Sequence, residues 1–244
     1  PAIPSLIAAS PHGSAGSTPK ATPSSPGKPR FPSKQEPIRV RSAERLLSAV
    51  GEVLVRGDGW TSEFLDHLGR IGAGAGGYSI APTGSAISWA PISEILIRFD
   101  DDVSDEIGAA SLLVASGASR QHTVEESYYD PETLTATWKL ATPISEPDNV
   151  AIVFGCVDST GNLDAAVLRQ LQVTPGDVDG DGEVTTDDGR LFKERLFAAI
   201  PDAHYSPQHD LDGNGVLDVI DGLLIRNALF QSARSDQPDL DPAA

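Results

Sequence analysis

Between Asp177 and Phe230 the chain repeats itself. Asp177, Asp179, Gly180, Gly182, Asp188, Gly189, Leu191, Leu196 and Phe197 recur 33 residues later as Asp210, Asp212, Gly213, Gly215, Asp221, Gly222, Leu224, Leu229 and Phe230. An offset kept through acidic, glycine and apolar positions alike means two copies of one supersecondary unit, each needing its twin to bury its apolar side.

The acidic part of each copy has the spacing of a calcium loop. Such a loop places oxygen ligands at positions 1, 3, 5, 7, 9 and 12 and a glycine at position 6 for the sharp turn. The first copy, DVDGDGEVTTDD, offers Asp177, Asp179 and Asp181, then Gly182, the Glu183 carbonyl, Thr185 and Asp188. The second, DLDGNGVLDVID, offers Asp210, Asp212 and Asn214, then Gly215, the Val216 carbonyl, Asp218 and Asp221. Two Ca2+ ions are expected. Position 12 is Asp in both copies where most calcium loops carry a bidentate Glu, so the following helix must bring the shorter side chain closer. Each loop gathers four carboxylates, whose repulsion amounts to about 4 kcal/mol per close pair at 4 Å and a moderate effective dielectric. The ion-free segment is therefore expected to be partly or wholly unfolded. Val184 and Leu217, at position 8, are expected to join the two loops through a short strand-like bridge.

A helical pattern follows each loop, with Leu191, Phe192, Leu196 and Ile200 in the first copy and Ile220, Leu223, Leu224 and Ala228 in the second. The first loop is preceded by Thr174-Pro175-Gly176, not by an apolar helix. Loop plus one following helix, duplicated, with Asp at position 12 and Lys193-Glu194 aligned with Arg226-Asn227, resembles a type I dockerin over 176–231. That resemblance implies a calcium-dependent, non-catalytic module that docks onto a cohesin domain of a scaffold or cell-surface protein. It also implies cohesin-reading positions at Thr186, Asp187, Lys193 and Glu194 in one copy and Val219, Ile220, Arg226 and Asn227 in the other. Many members of that family carry Ser-Thr pairs at both copies. Here Thr186-Asp187 is polar and Val219-Ile220 apolar, so the apolar pair either marks a partner surface or packs inside the module.

Upstream the patterns differ. EVLVR at 52–56 alternates like a strand, and Thr61 can cap a short helix over 61–69 with Phe64, Leu65 and Leu68 on one side. From Tyr78 to Val173, YSIA, ILIRF, SLLVAS, TLTATWKL, NVAIVFGCV and LRQLQV alternate β-formers between turn signals, the pattern of an antiparallel β-sandwich. Phe99 and Trp138 are its expected core residues. ILIRFDDDVS, YYDPETLTATWKL and CVDSTGNLDA resemble the immunoglobulin-like or cadherin-like domains that stand before dockerins in exported bacterial proteins.

The expected fold is thus mainly β with a smaller α part: a Pro/Ser-rich disordered linker over 1–37, a β-sandwich over 50–174, an all-α module of two EF-hand-type loops over 175–231, and an acidic disordered tail over 232–244. The linker has too little apolar surface to offset chain entropy. The chain begins with Pro, not Met, which predicts a fragment or a processed N-terminus. A net charge of -17 speaks against nucleic acid as partner. No apolar run is long enough to span a bilayer as a helix. Cys156, the only cysteine, sits in a strand pattern, so a buried thiol is expected and a Cys-based zinc site or an internal disulfide is excluded.

Several features imitate active sites. Gly72, Gly74 and Gly77 spell a dinucleotide fingerprint, but a helix precedes it and a strand follows, the reverse of what the fingerprint requires. Asp100 to Asp102 and Glu125-Glu126 invite comparison with glycosidase carboxylates, yet neighbouring acids on a strand point to opposite faces. Asp158, Asn162 and Asp164 offer oxygens for a further calcium ion, but a solvated turn is the favoured expectation there. The histidines, His12, His67, His122, His204 and His209, lack metal-ligand spacing, and His209 reads as a surface residue. No catalytic residue is expected, although a hydrolase domain upstream would fit the resemblance, with polysaccharide as the substrate of the host protein. Extracellular or cell-surface placement is expected, because calcium is plentiful there. The rival expectation is a carbohydrate-binding or carbohydrate-active β domain with the calcium segment as a stabilising tail. A third is an intramolecular clamp, the calcium segment folding back on the sandwich.

Overall fold

The computed structural model describes residues 43–117, 121–157 and 163–235. The expected linker over 1–37 lies outside them, as do Asp158, Asn162 and residues 236–244. Of Asp164 only the backbone is described.

A short helix, α1, occupies 43–48 and leads into β1 (Val50–Arg56). Thr61 then caps α2 (Ser62–Arg70), its side chain accepting from the Phe64 amide, and the amphipathic spacing buries Phe64 and Leu68. The remaining strands are β2 (Tyr78–Ser79), β3 (Ser85–Ile87), β4 (Ile92–Phe99), β5 (Ala110–Ser116), β6 (Gln121–His122), β7 (Val124–Asp130), β8 (Thr135–Ile144), β9 (Asp148–Val157) and β10 (Leu163–Val173). They form two five-stranded sheets, β2-β1-β4-β8-β7 and β3-β10-β9-β5-β6. Every pairing is antiparallel except β3 with β10, which runs parallel from Ser85 opposite Leu171 to Ile87 opposite Val173. That pair departs from the all-antiparallel expectation.

The inward faces of the two sheets meet through aromatic side chains. Trp138 of one sheet packs on Phe154 of the other with ring centroids 5.5 Å apart, and Phe99 meets Phe154 at 5.9 Å. Val53, Val55, Ile95, Ile97, Val114, Val150 and Ile152 complete the core, and Cys156 is buried near them. A second aromatic cluster forms at one end, where Trp60, Phe64, Tyr78 and Trp89 contact one another.

The glycine-rich turn after α2 is structural. A Cβ at Gly77 would approach the Val55 carbonyl within 2.9 Å, and Gly74 has φ +122°. The backbone must lie directly on β1, and only glycine allows that approach.

After β10 the chain stays beside β3: Thr174 N donates to the Ile87 carbonyl at 2.9 Å and Gly176 N to the Ser88 carbonyl at 3.2 Å. There follow the first acidic loop, α3 (Thr186–Arg195), a connecting segment, the second loop and α4 (Val219–Ser235). Leu196 and Ile200 fall beyond α3, because the helix stops at Arg195 and Phe197 takes φ 73°. α4 continues past Gln231, so residues 232–235, expected to be tail, are helical. The helices meet where Phe192 reaches Gly222; a Cβ there would lie 3.0 Å from the Phe192 ring.

Candidate metal centre

Asp177 stands at the start of the first loop because the chain turns back over it. Its carboxylate accepts from Gly180 N (2.7 Å) and Gly182 N (2.9 Å). Both glycines have positive φ, +78° and +94°, which the tight turn requires. Asp188, the position-12 residue, lies in the first turn of α3. Its two oxygens accept from Val178 N (2.9 Å) and Thr185 N (2.7 Å), closing a capping box with Thr185. The short Asp thus reaches the loop because the helix N-terminus is tied to it.

The second loop repeats these bonds with one exception: Gly213 N donates to the Asp210 main-chain carbonyl at 3.3 Å, where Gly180 N meets the Asp177 carboxylate, and Asn214 N takes that place on Asp210 Oδ1 at 3.0 Å. Asp210 accepts from Gly215 N (2.7 Å), and Asp221 from Leu211 N (2.7 Å) and Asp218 N (2.9 Å). Asn214 Oδ1 accepts from Val216 N at 2.8 Å, as Asp181 Oδ1 does from Glu183 N at 2.9 Å. Ligand-capable oxygens of Asp177, Asp179 and Asp188 lie within 4.8 Å of one another, and so do those of Asp210, Asp212 and Asp221. Asp181 stands apart from the first cluster.

These carboxylates are held without cationic partners. Asp188, Asp210 and Asp221 have no exposed surface, and among the described residues no Lys or Arg pairs with either cluster. Burial, aided by the charges of Asp221 and Asp212, pushes Asp210 up to about 7. Burial and Asp212 raise Asp221 to about 6, and burial raises Asp177 above the ordinary range. A converging set of hard oxygen donors with unbalanced charge fits a divalent cation such as calcium.

The strand-like contact expected between Val184 and Leu217 lies elsewhere. The bridge pairs Val216 with Ala199, and Leu217 exchanges backbone hydrogen bonds with Phe197 and Ala198. The second loop therefore pairs with the segment after α3. His209 is buried, not on the surface; burial and nearby Arg195 push its pKa down to about 4.

Thr186, Asp187, Lys193 and Glu194 are exposed on α3, and Arg226 and Asn227 on α4. Val219 and Ile220 are 62% and 46% exposed, so they do not pack inside. The same α4 face carries Leu223 and Phe230, 41% and 64% exposed, which the sequence reading did not single out as contact residues. Positions 219, 223, 226 and 230 are spaced i, i+4, i+7 and i+11, the spacing of one helical face. Their counterparts across the repeat, Thr186, Arg190, Lys193 and Phe197, give α3 a polar face with an exposed phenylalanine at its end. Arg190 is paired there with Asp187 (3.3 Å) and Glu194 (2.8 Å).

No family model and no curated protein matches this chain. Solved structures with distant likeness include domains 1–6 of surface layer protein SbsC, at 15% identity over 34% of this chain, with a TM-score of 0.26. The chain spans 12% of that protein's length. Also similar are a C-terminal and an N-terminal interface mutant of a type II cohesin–X–dockerin complex from Acetivibrio cellulolyticus. They share 16% and 14% identity over 50% of this chain and 83% of theirs, with TM-scores of 0.24 and 0.23.

Elsewhere, Asp102 accepts from Ser104 and Tyr129 at an exposed turn, and Glu125 and Glu126 are exposed on β7. His122 Nε2 lies 3.6 Å from Asp148, and His67 packs on Tyr205. No described helix is long and apolar enough to cross a membrane.

Proposed function

We propose that residues 175–235 form a calcium-dependent docking module of dockerin type, carried beside a β-sandwich spacer, and that its partner is a cohesin domain. The observation that carries this reading is the pair of largely buried carboxylate clusters, held by mostly equivalent hydrogen bonds at the same offset and, among the described residues, paired with no Lys or Arg. Asp177, Asp179, Asp181, the Glu183 carbonyl, Thr185 and Asp188 would hold one ion; Asp210, Asp212, Asn214, the Val216 carbonyl, Asp218 and Asp221 the other. Bound calcium supplies the positive charge that lets these carboxylates stay ionised inside the fold.

The partner face is the exposed side of α4. Val219, Ile220, Leu223 and Phe230 offer apolar area with Arg226 and Asn227 among them, while the equivalent α3 positions are polar. Hot spots form where large apolar groups and Arg can be fully desolvated, which favours the second copy as the contact. A protein working this way belongs outside the cell or on its surface, where calcium fills weak sites. The chain itself is read as non-catalytic, and a link to polysaccharide breakdown would lie in the host protein.

The test is calorimetric calcium titration of the full chain and of Asp177→Ala plus Asp210→Ala, followed by capture on immobilised cohesin domains with calcium or with chelator. Two ions bound, both lost in the double variant, and calcium-dependent capture are expected. No binding at millimolar calcium would overturn the reading.

A further inference from the structure

The two acidic loops share most of their internal hydrogen bonds but not their surroundings. Gly180, at position 4 of the first, has open space where a side chain would stand. Gly213, its equivalent, lies under the Trp60 indole, so that a Cβ there would overlap Trp60 Cδ1. Beside it Thr61 N donates to the Gly213 carbonyl at 2.9 Å, and Thr61 Oγ1 donates to the Gly213 and Asn214 carbonyls, each at 3.3 Å. Tyr205 OH donates to Asp210 Oδ2 at 2.5 Å, and the Tyr205 ring stands edge-on to His67 of α2 at 5.1 Å. The residue 33 positions before Tyr205 is Gln172, whose amide donates to Thr174 instead. Asp212 and Asn214 are half-buried, whereas their counterparts Asp179 and Asp181 are exposed.

We propose that the β-sandwich completes the second calcium loop: Trp60 and Thr61, with Tyr205 held by His67, are positioning residues that keep the 210–221 loop in its ion-accepting shape. This loop is then the tighter of the two sites, and its occupancy is linked to the stability of the sandwich. The inference rests on the calcium reading above. A loop of clustered carboxylates must be gathered against its own repulsion before an ion enters, and a loop already clamped pays less of that ordering cost. The Tyr205 hydroxyl fixes the orientation of the Asp210 carboxylate, as outer partners of metal ligands do. Because linkage is reciprocal, whatever the sandwich adds to ion affinity, the ion returns to the sandwich.

The experiment uses the full chain. Calorimetric titration of Asp177→Ala isolates the second site and that of Asp210→Ala the first. In the Asp177→Ala background, Trp60→Phe and Thr61→Ala are each expected to weaken the remaining site about tenfold. In the Asp210→Ala background the same changes are expected to leave the remaining site unaltered, which a general loss of stability would not do. A second measurement holds even if the Trp60 variant folds poorly. All three tryptophans, Trp60, Trp89 and Trp138, lie in the sandwich part of the chain, so thermal unfolding followed by their fluorescence reports on it. Calcium should raise that midpoint in Asp177→Ala but not in Asp210→Ala. Equal weakening of both sites, an unchanged second site, or an equal rise in both variants would overturn the proposal while leaving calcium binding intact. Absence of any calcium binding in the parent chain would instead overturn the calcium reading and this inference with it.

Discussion

Asp210 is fully buried, accepts hydrogen bonds from Asn214 N, Gly215 N and Tyr205 OH, and stands beside Asp212 and Asp221. Its pKa is raised to about 7 and that of Asp221 to about 6, against an ordinary value of 3.8. Between pH 4 and 7 the folded state thus holds more protons than the unfolded one, so these groups add stability that is present at low pH and lost as pH rises through 7. In chelator, the urea midpoint should therefore fall from pH 5 to pH 7.5. With saturating calcium the ionised form is the bound one, folded and unfolded states then hold nearly equal numbers of protons, and the midpoint should become almost independent of pH over the same range. The two position-4 glycines give a further test at this scale. Gly180→Ala meets only the backbone strain of φ +78°, about 1 to 2 kcal/mol, whereas Gly213→Ala adds an overlap with Trp60. Chemical denaturation should show the Gly213 variant to be the less stable of the two.

Among the elements, α3 and α4 differ most in what they leave in water. Both are fixed on their inner faces, by Asp188 and Phe192 in α3 and by Asp221 and Ile225 in α4. Outside, α3 closes its charges on itself through Arg190, while α4 leaves an apolar stripe. Leu223→Asp or Phe230→Asp should weaken capture by a bound cohesin at least a hundredfold, since each puts a charge into a desolvated contact. Melting temperature should change little, because both side chains already face solvent. Lys193→Ala on α3 should cost less than tenfold, as a rim charge does. Surface plasmon resonance with each variant measures both effects.

At the scale of the molecule, the acidic segment is joined to the sandwich through Thr174, Gly176, Ser88 and Trp89, whose indole donates to the Pro207 carbonyl at 2.8 Å. Calcium at a thousand times its dissociation constant adds about 4 kcal/mol per site to the folded acidic segment. Chelation should accordingly lower the melting temperature and raise hydrogen exchange in 177–235 before it affects the sheet core; differential scanning calorimetry and exchange mass spectrometry read these. The sequence by itself determined the segments of β1, β2, β4, β5, β8, β9 and β10, the Thr61 cap and the duplicated oxygen spacing, because each is a local pattern of residue types along the chain, whereas β3, β6 and β7 carry no such pattern. It reached Phe99 and Trp138 as core residues for the same reason, since alternation marks an inward face. Only the tertiary structure decided the parallel β3–β10 pair, the bridge from Val216 to Ala199, the burial of His209 and the exposure of Val219 and Ile220. Those depend on which distant segments meet, and no periodicity in a single stretch encodes that. The same reason hid the difference between the loops: Trp60 lies more than 150 residues before Gly213, and only folding presses one of two like glycines against it.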